Sequence, residues 1–221
     1  MKLLGVSISD GSREEILAQV RIFLTEPGFH RIATVNPEFL VLADRDQAFK
    51  DSLLTADLCV ADGFGIVLAG WLLGKRVTRF PGADLLHEIL AIAERDGHAI
   101  YLAIKKDGLS SYEEIRVALL KKYPRLSIES DRRHARVVIC SYGAPEQEVF
   151  LESLRSNPGD IRLAMGAGGS FDYLTGKQKR APKWLRDIGL EWLWRLILQP
   201  KRCKRIWNAV VIFPMKVLVQ K

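Results

Sequence analysis

The chain has 221 residues, 48% hydrophobic and 27% charged, which suits one generous α/β domain plus an extra element and excludes a disordered or collagen-like chain. Three cysteines, none in a C-x-x-C pair, exclude a disulfide framework and a recognisable zinc site and fit a reducing cytoplasm. The net charge of +7 divides unevenly: from Gly176 onward 12 Lys+Arg face only Asp187 and Glu191, so the body before it is mildly acidic and the end strongly basic.

Apolar or β-branched runs predict strands at Leu3–Ser7, Arg31–Val35, Leu58–Ala61, Ala99–Ile104, Arg136–Cys140 and Ile161–Met165. Between them lie stretches of helical period. One opens at Pro37, a favoured first helical residue, and runs through Phe39–Leu54. Others cover Ile66–Leu73 (stopped by Gly74), Leu85–Ile92, Ile115–Leu120 and Pro145–Leu154. Repeated β-α-β alternation predicts an α/β fold, a Rossmann-like, largely parallel sheet flanked by helices. Residues 1–175 are expected to form this domain and residues 176–221 a helical appendage.

The appendage divides at Pro200. Before it, Leu185, Ile188, Trp192 and Leu196 follow one helical stripe, and Lys183, Asp187, Glu191 and Arg195 follow another at steps of four. After it, Ile206, Ala209, Val210 and Phe213 form a stripe behind Lys201, Arg202, Lys204 and Arg205. Four of the five tryptophans lie here, and indole favours headgroup level and interfaces. Two basic amphipathic helices of this kind suit an anionic membrane surface, against the blander reading of a hairpin docked on the body with solvated arginines. The opening Met1–Ser7 turns polar too early for a signal peptide, and no apolar run reaches the ~18–20 residues of a membrane span. The expected location is cytoplasmic, peripheral on the inner membrane face.

In open α/β sheets ligands sit beyond the carboxyl ends of the strands. Asp62 follows such a run and precedes two glycines spaced by Phe64. Its carboxylate suits a general base, with capping of the next helix as the competing reading. Thr34 and Asn36, two apart on a strand end, share one face and suit a sugar or nucleotide, or equally a turn before Pro37. The turn Gly166–Ser170 is a weak dinucleotide signature. Asp44-Arg45-Asp46 imitates a D-x-D metal motif, but on a helix residues two apart diverge, so it is rejected. The four histidines lack metal-ligand spacing.

Together these segments resemble the WecG/TagA/CpsF family of bacterial glycosyltransferases, of N-acetylmannosaminyltransferase type. The resemblance rests on Thr34-Val35-Asn36-Pro37-Glu38, Ala61-Asp62-Gly63, Arg79-Phe80-Pro81-Gly82-Ala83-Asp84, Gly143-Ala144-Pro145-Glu146-Gln147-Glu148 and the run from Gly168 to Leu196. It implies inverting transfer of a sugar from a UDP-sugar to a polyprenyl-diphosphate-linked sugar in cell-envelope polysaccharide assembly, without a metal or other cofactor. By the same resemblance Asp62 is the catalytic base, and Thr34, Asn36, Arg79 and Gln147 line its pocket. Arg195, Arg202 and Arg205 meet a diphosphate, and the tail is a membrane-targeting element that closes the site.

Two stretches depart from the family pattern. Members usually carry a glycine-rich turn after the fourth strand, where this chain reads Ile104-Lys105-Lys106-Asp107-Gly108. They also carry a longer segment where this chain has only Ile128–His134. These departures leave an alternative: a catalytically weakened or inactive relative acting as a membrane-associated partner or regulator, which direct UDP binding would distinguish. A nucleic-acid binder is disfavoured because the tail cations alternate with large apolar stripes. The sequence leaves the donor sugar, the acceptor sugar, the linkage and assembly into a homo-oligomer open.

Overall fold

The computed structural model describes residues Met1–Val219, and its elements are, in chain order, β1 (Lys2–Leu3), β2 (Val6–Ser7), α1 (Arg13–Thr25), β3 (His30–Val35), α2 (Pro37–Ala43), α3 (Gln47–Leu54), β4 (Leu58–Ala61), α4 (Phe64–Leu72) and α5 (Gly82–Asp96). There follow β5 (Ile100–Ala103), α6 (Tyr112–Lys122), β6 (Ile128–Glu129), β7 (Val137–Cys140), α7 (Glu146–Ser153), β8 (Leu163–Gly166) and α8 (Ser170–Leu174). The tail holds α9 (Lys183–Asp187), α10 (Glu191–Leu198), α11 (Cys203–Trp207), a π-helical turn over Asn208–Ile212, and α12 (Phe213–Val219).

Six strands form one sheet in the order β4-β3-β8-β7-β5-β6, and every pairing is parallel. This is the α/β, Rossmann-like sheet expected from the alternation. Because successive strand side chains point to opposite faces, Ile32, Val60 and Met165 enter one core with α1, α5 and α6. Ala33, Val35, Cys59 and Ala61 enter a second core with α2, α3 and α4. Phe213 and Val217 of the tail are buried in that second core.

Several local expectations change. The run Leu3–Ser7 is not a strand of the main sheet. It folds back as the antiparallel β1-β2 pair, turning at Leu4 and Gly5, both at positive φ. The edge strand β6 falls in the short segment that was not read as a strand. Helix α1 was also missed, although Ser12 and Glu15 form a reciprocal capping box at its start. The stretch Phe39–Leu54 is two helices, because Asp46 accepts the Phe49 N–H at 3.0 Å and caps α3. Asp44 pairs with Lys216 at 2.5 Å. The D-x-D motif therefore fails through a helix break and not through divergence along one helix. Pro182–Gln199 is likewise broken, at Gly189.

Candidate active site

The carboxyl ends of β3, β4, β7 and β8 open into two adjoining cavities of about 220 and 260 Å³. Asn36, Asp62, Glu191, Arg195, Arg202 and Arg205 line both. The first is bounded by Thr34, Gln147, Lys105 and the turn Gly166–Ser170. The second is more apolar, walled by Pro37, Phe64, Leu68, Ile206 and Val210. Asp62 stands where the two meet.

Backbone geometry fixes it there. The Asp62 N–H donates to the Val35 carbonyl at 2.9 Å and extends the β3-β4 ladder by one step. The glycines that follow permit close packing: a Cβ at Gly63 or Gly65 would approach the Pro37 ring to 2.6 or 2.7 Å. The capping reading is met in altered form. Asp62 Oδ1 accepts the Gly82 N–H at 2.8 Å, at the start of α5 and not of the adjacent α4. Oδ2 has no hydrogen-bond partner among the described residues. Burial pushes the Asp62 carboxyl above the ordinary aspartate value, with Glu191 adding to the rise, while Arg195, the Gly82 N–H and Arg79 oppose it.

Arg79 ties the crevice to the tail. Its Nε donates to the Asp62 carbonyl at 2.9 Å, Nη1 to the Arg186 carbonyl at 2.8 Å and Nη2 to Glu191 Oε2 at 2.9 Å. Glu191 Oε1 in turn accepts from Arg195 Nη2 at 2.6 Å. Burial raises the Glu191 carboxyl, but Arg195, Arg79 and Arg180 outweigh it and hold it below the ordinary range. Glu191 is thus the buried anion that seats two arginines, where the sequence pattern placed it on a polar stripe.

The tail arginines exceed their counter-anions. Arg202 has no ion pair among the described residues; burial and then the cations of Arg205 and Arg195 pull its pKa down. Arg205 pairs with Glu38 at the α2 start. Arg195 Nε and Arg180 Nε are buried without a hydrogen-bond partner. Unsatisfied buried guanidinium donors around a cavity are free to donate to an anion, and the planar Arg fork matches phosphate in geometry.

Gln147 is buried at the floor of the first cavity. Its Oε1 accepts the Gly168 N–H at 2.9 Å and its Nε2 donates to Glu148 Oε1 at 3.0 Å. It needs Gly166: a Cβ there would lie 1.9 Å from Nε2. Asn36 caps α2 by accepting the Phe39 N–H at 3.0 Å, so the turn reading holds for it, and it still lines both cavities. All eight residues singled out in the sequence lie at this crevice. Lys105, Tyr173, Arg180 and Glu191 were missed as site residues. Only the density of basic residues after Gly176 hinted at Arg180.

The sequence pattern described as "Glycosyl transferase WecG/TagA/CpsF family" matches residues 1–133 and 129–221. The two matched ranges overlap at residues 129–133, within the segment Ile128–His134. A Bacillus subtilis (strain 168) protein named N-acetylglucosaminyldiphosphoundecaprenol N-acetyl-beta-D-mannosaminyltransferase is 33% identical over 190 residues, covering 79% of this chain and 74% of that protein. The Staphylococcus aureus (strain MRSA252) protein of the same name is 27% identical over 238 aligned residues, covering 99% of this chain and 92% of its own. The name of these relatives, more than the α/β fold itself, marks the class as glycosyltransferase. The chain belongs to the WecG/TagA/CpsF family.

Proposed function

We propose that the chain transfers an N-acetylmannosamine-type sugar from a UDP-sugar to a polyprenyl-diphosphate-linked N-acetylglucosamine, with inversion, in cell-envelope polysaccharide assembly. One observation carries the reading: the Asp62 carboxylate and the guanidinium groups of Arg195, Arg202 and Arg205 face the same pair of cavities. Asp62 takes the proton of the acceptor hydroxyl as its oxygen attacks the anomeric carbon of the donor. The bond to UDP breaks with its electron pair, and inversion follows from attack opposite the leaving group. Positive charge must then meet the diphosphate, where low-dielectric surroundings make it most effective. The tail arginines supply that charge.

The polarity of the two cavities supports a division of labour. The first, with Gly166–Ser170, Lys105 and Gln147, takes the nucleotide sugar. The second, with Phe64, Leu68, Ile206 and Val210, takes the acceptor with its first prenyl units. Thr34 in the first cavity and Asn36 at the junction hold sugar hydroxyls. No helix among the described residues is long and apolar enough to cross a membrane. Access to a lipid acceptor therefore runs through a peripheral contact of the basic tail with the anionic inner membrane face.

The test is a screen of UDP-sugars against a short-chain polyprenyl-diphosphate N-acetylglucosamine acceptor, read by mass spectrometry. The expected result is one added N-acetylhexosamine with UDP released. Absence of product with every donor, together with no measurable UDP binding, would refute the reading in favour of a partner or regulator.

A further inference from the structure

Helix α4 has the sequence FGIVLAGWL, without one charged side chain. Ile66, Val67, Ala69 and Gly70 face the protein interior. The opposite face is apolar as well, with Leu68, Trp71 and Leu72 exposed to 44%, 58% and 46%. A helix apolar on all sides belongs in a core or against a non-aqueous phase. The Trp71 ring packs edge-on against Phe64 at 6.2 Å, and its indole N–H has no hydrogen-bond partner among the described residues. Beyond the helix end, after Leu73 and Gly74, stand Lys75 and Arg76, both exposed and without ion pairs among the described residues.

We infer that the outer face of α4 is a membrane-inserting element of the catalytic body itself, seated in an anionic lipid surface. The inference rests on the proposed lipid-linked acceptor and extends membrane contact beyond the basic tail. Two observations select a bilayer as the occupant. Apolar side chains flanked by unpaired cations match acyl chains beneath anionic headgroups, and an indole with a free N–H suits the boundary between them. The face is also continuous with the acceptor cavity: Leu68 lines it together with Ile206 and Val210 of the tail. A second copy of the chain is a poorer occupant, because three side chains on one short helix fall far short of the roughly 800 Å² per partner of a stable dimer. With α4 seated, a prenyl chain passes from the bilayer into the cavity without crossing water.

The experiment compares the full chain with Trp71→Glu/Leu72→Glu and, separately, Lys75→Glu/Arg76→Glu. Vesicles of phosphatidylglycerol and phosphatidylcholine are sedimented at low and high salt, and transfer to a water-soluble short-chain acceptor is assayed alongside. Each double variant is expected to lose at least about tenfold in vesicle partitioning while short-chain transfer is unchanged. The cationic pair carries part of the salt dependence. Unchanged partitioning of both variants, with wild type bound, would overturn the inference and leave the proposed function standing. So would loss of a concentration-dependent dimer as the only effect of Trp71→Glu/Leu72→Glu. Wild type that neither binds vesicles nor transfers sugar would instead remove the proposed function on which the inference rests.

Discussion

Asp62 is held between opposing influences, and that makes its ionisation a direct probe of the site. Burial and Glu191 raise its pKa, while Arg195 and Arg79 lower it. A base works only when ionised, so activity rises with pH through that pKa. Arg195→Gln is expected to move the acidic limb of the kcat/KM profile to higher pH, and Glu191→Gln to move it lower. Shifts of the same sign would contradict the assignment. Glu148 tests a second buried carboxyl: desolvation pushes it up to about 7, and its Oε2 is buried without a partner. Because the folded pKa exceeds the unfolded one, the folded state binds more protons between about pH 4.5 and 7. Stability therefore falls as pH rises through that window. Glu148→Gln keeps an acceptor for Gln147 and should remove that fall, on the order of 3 kcal/mol, in denaturation curves at pH 5 and pH 8. At this scale position after a strand pointed to Asp62. Its bond to Gly82 lies 20 residues downstream and leaves no local signal.

Among the elements, the break at Gly189 decides where the tail chemistry points. Its φ is +79°, and a Cβ there would lie 2.4 Å from the Phe64 ring. Gly189→Ala should therefore cost about 1–3 kcal/mol by thermal or denaturant unfolding and depress transfer, since α10 carries Glu191 and Arg195. The periodicity of Leu185, Ile188, Trp192 and Leu196 runs through this break, so the stripe read as one helix. Long-range packing of Phe64 set the break, and periodicity does not record it. Five of the six strands of the main sheet were legible because buried parallel strands are short apolar runs bounded by breakers, whereas β6 is a two-residue, half-buried edge strand without such a run. The run Leu3–Ser7 has the same composition, and only its Leu4-Gly5 turn makes it a hairpin. The π-helical turn at Asn208–Ile212 precedes Pro214, whose missing N–H disrupts ordinary helical bonding.

For the whole molecule, the tail is both a wall of the site and part of the core. Phe213 and Val217 are buried beside Ile66 and Phe39, and such side chains contribute about 1.5–3 kcal/mol each. Truncation before Gly176 is thus expected to lose sedimentation with anionic vesicles and to lower the unfolding midpoint; an unchanged midpoint would contradict the packing. The charge division was visible in the sequence, and it drew attention to arginines that line both cavities. It did not show that Glu191 turns inward to seat two of them, because an acid among so many bases reads as a solvated partner. The most direct measurement of the whole account is transfer by Asp62→Asn, assayed with a UDP-sugar and a short-chain lipid acceptor after circular dichroism verifies an intact fold. The account requires product formation to be abolished with UDP binding retained; turnover at the wild-type rate would contradict it.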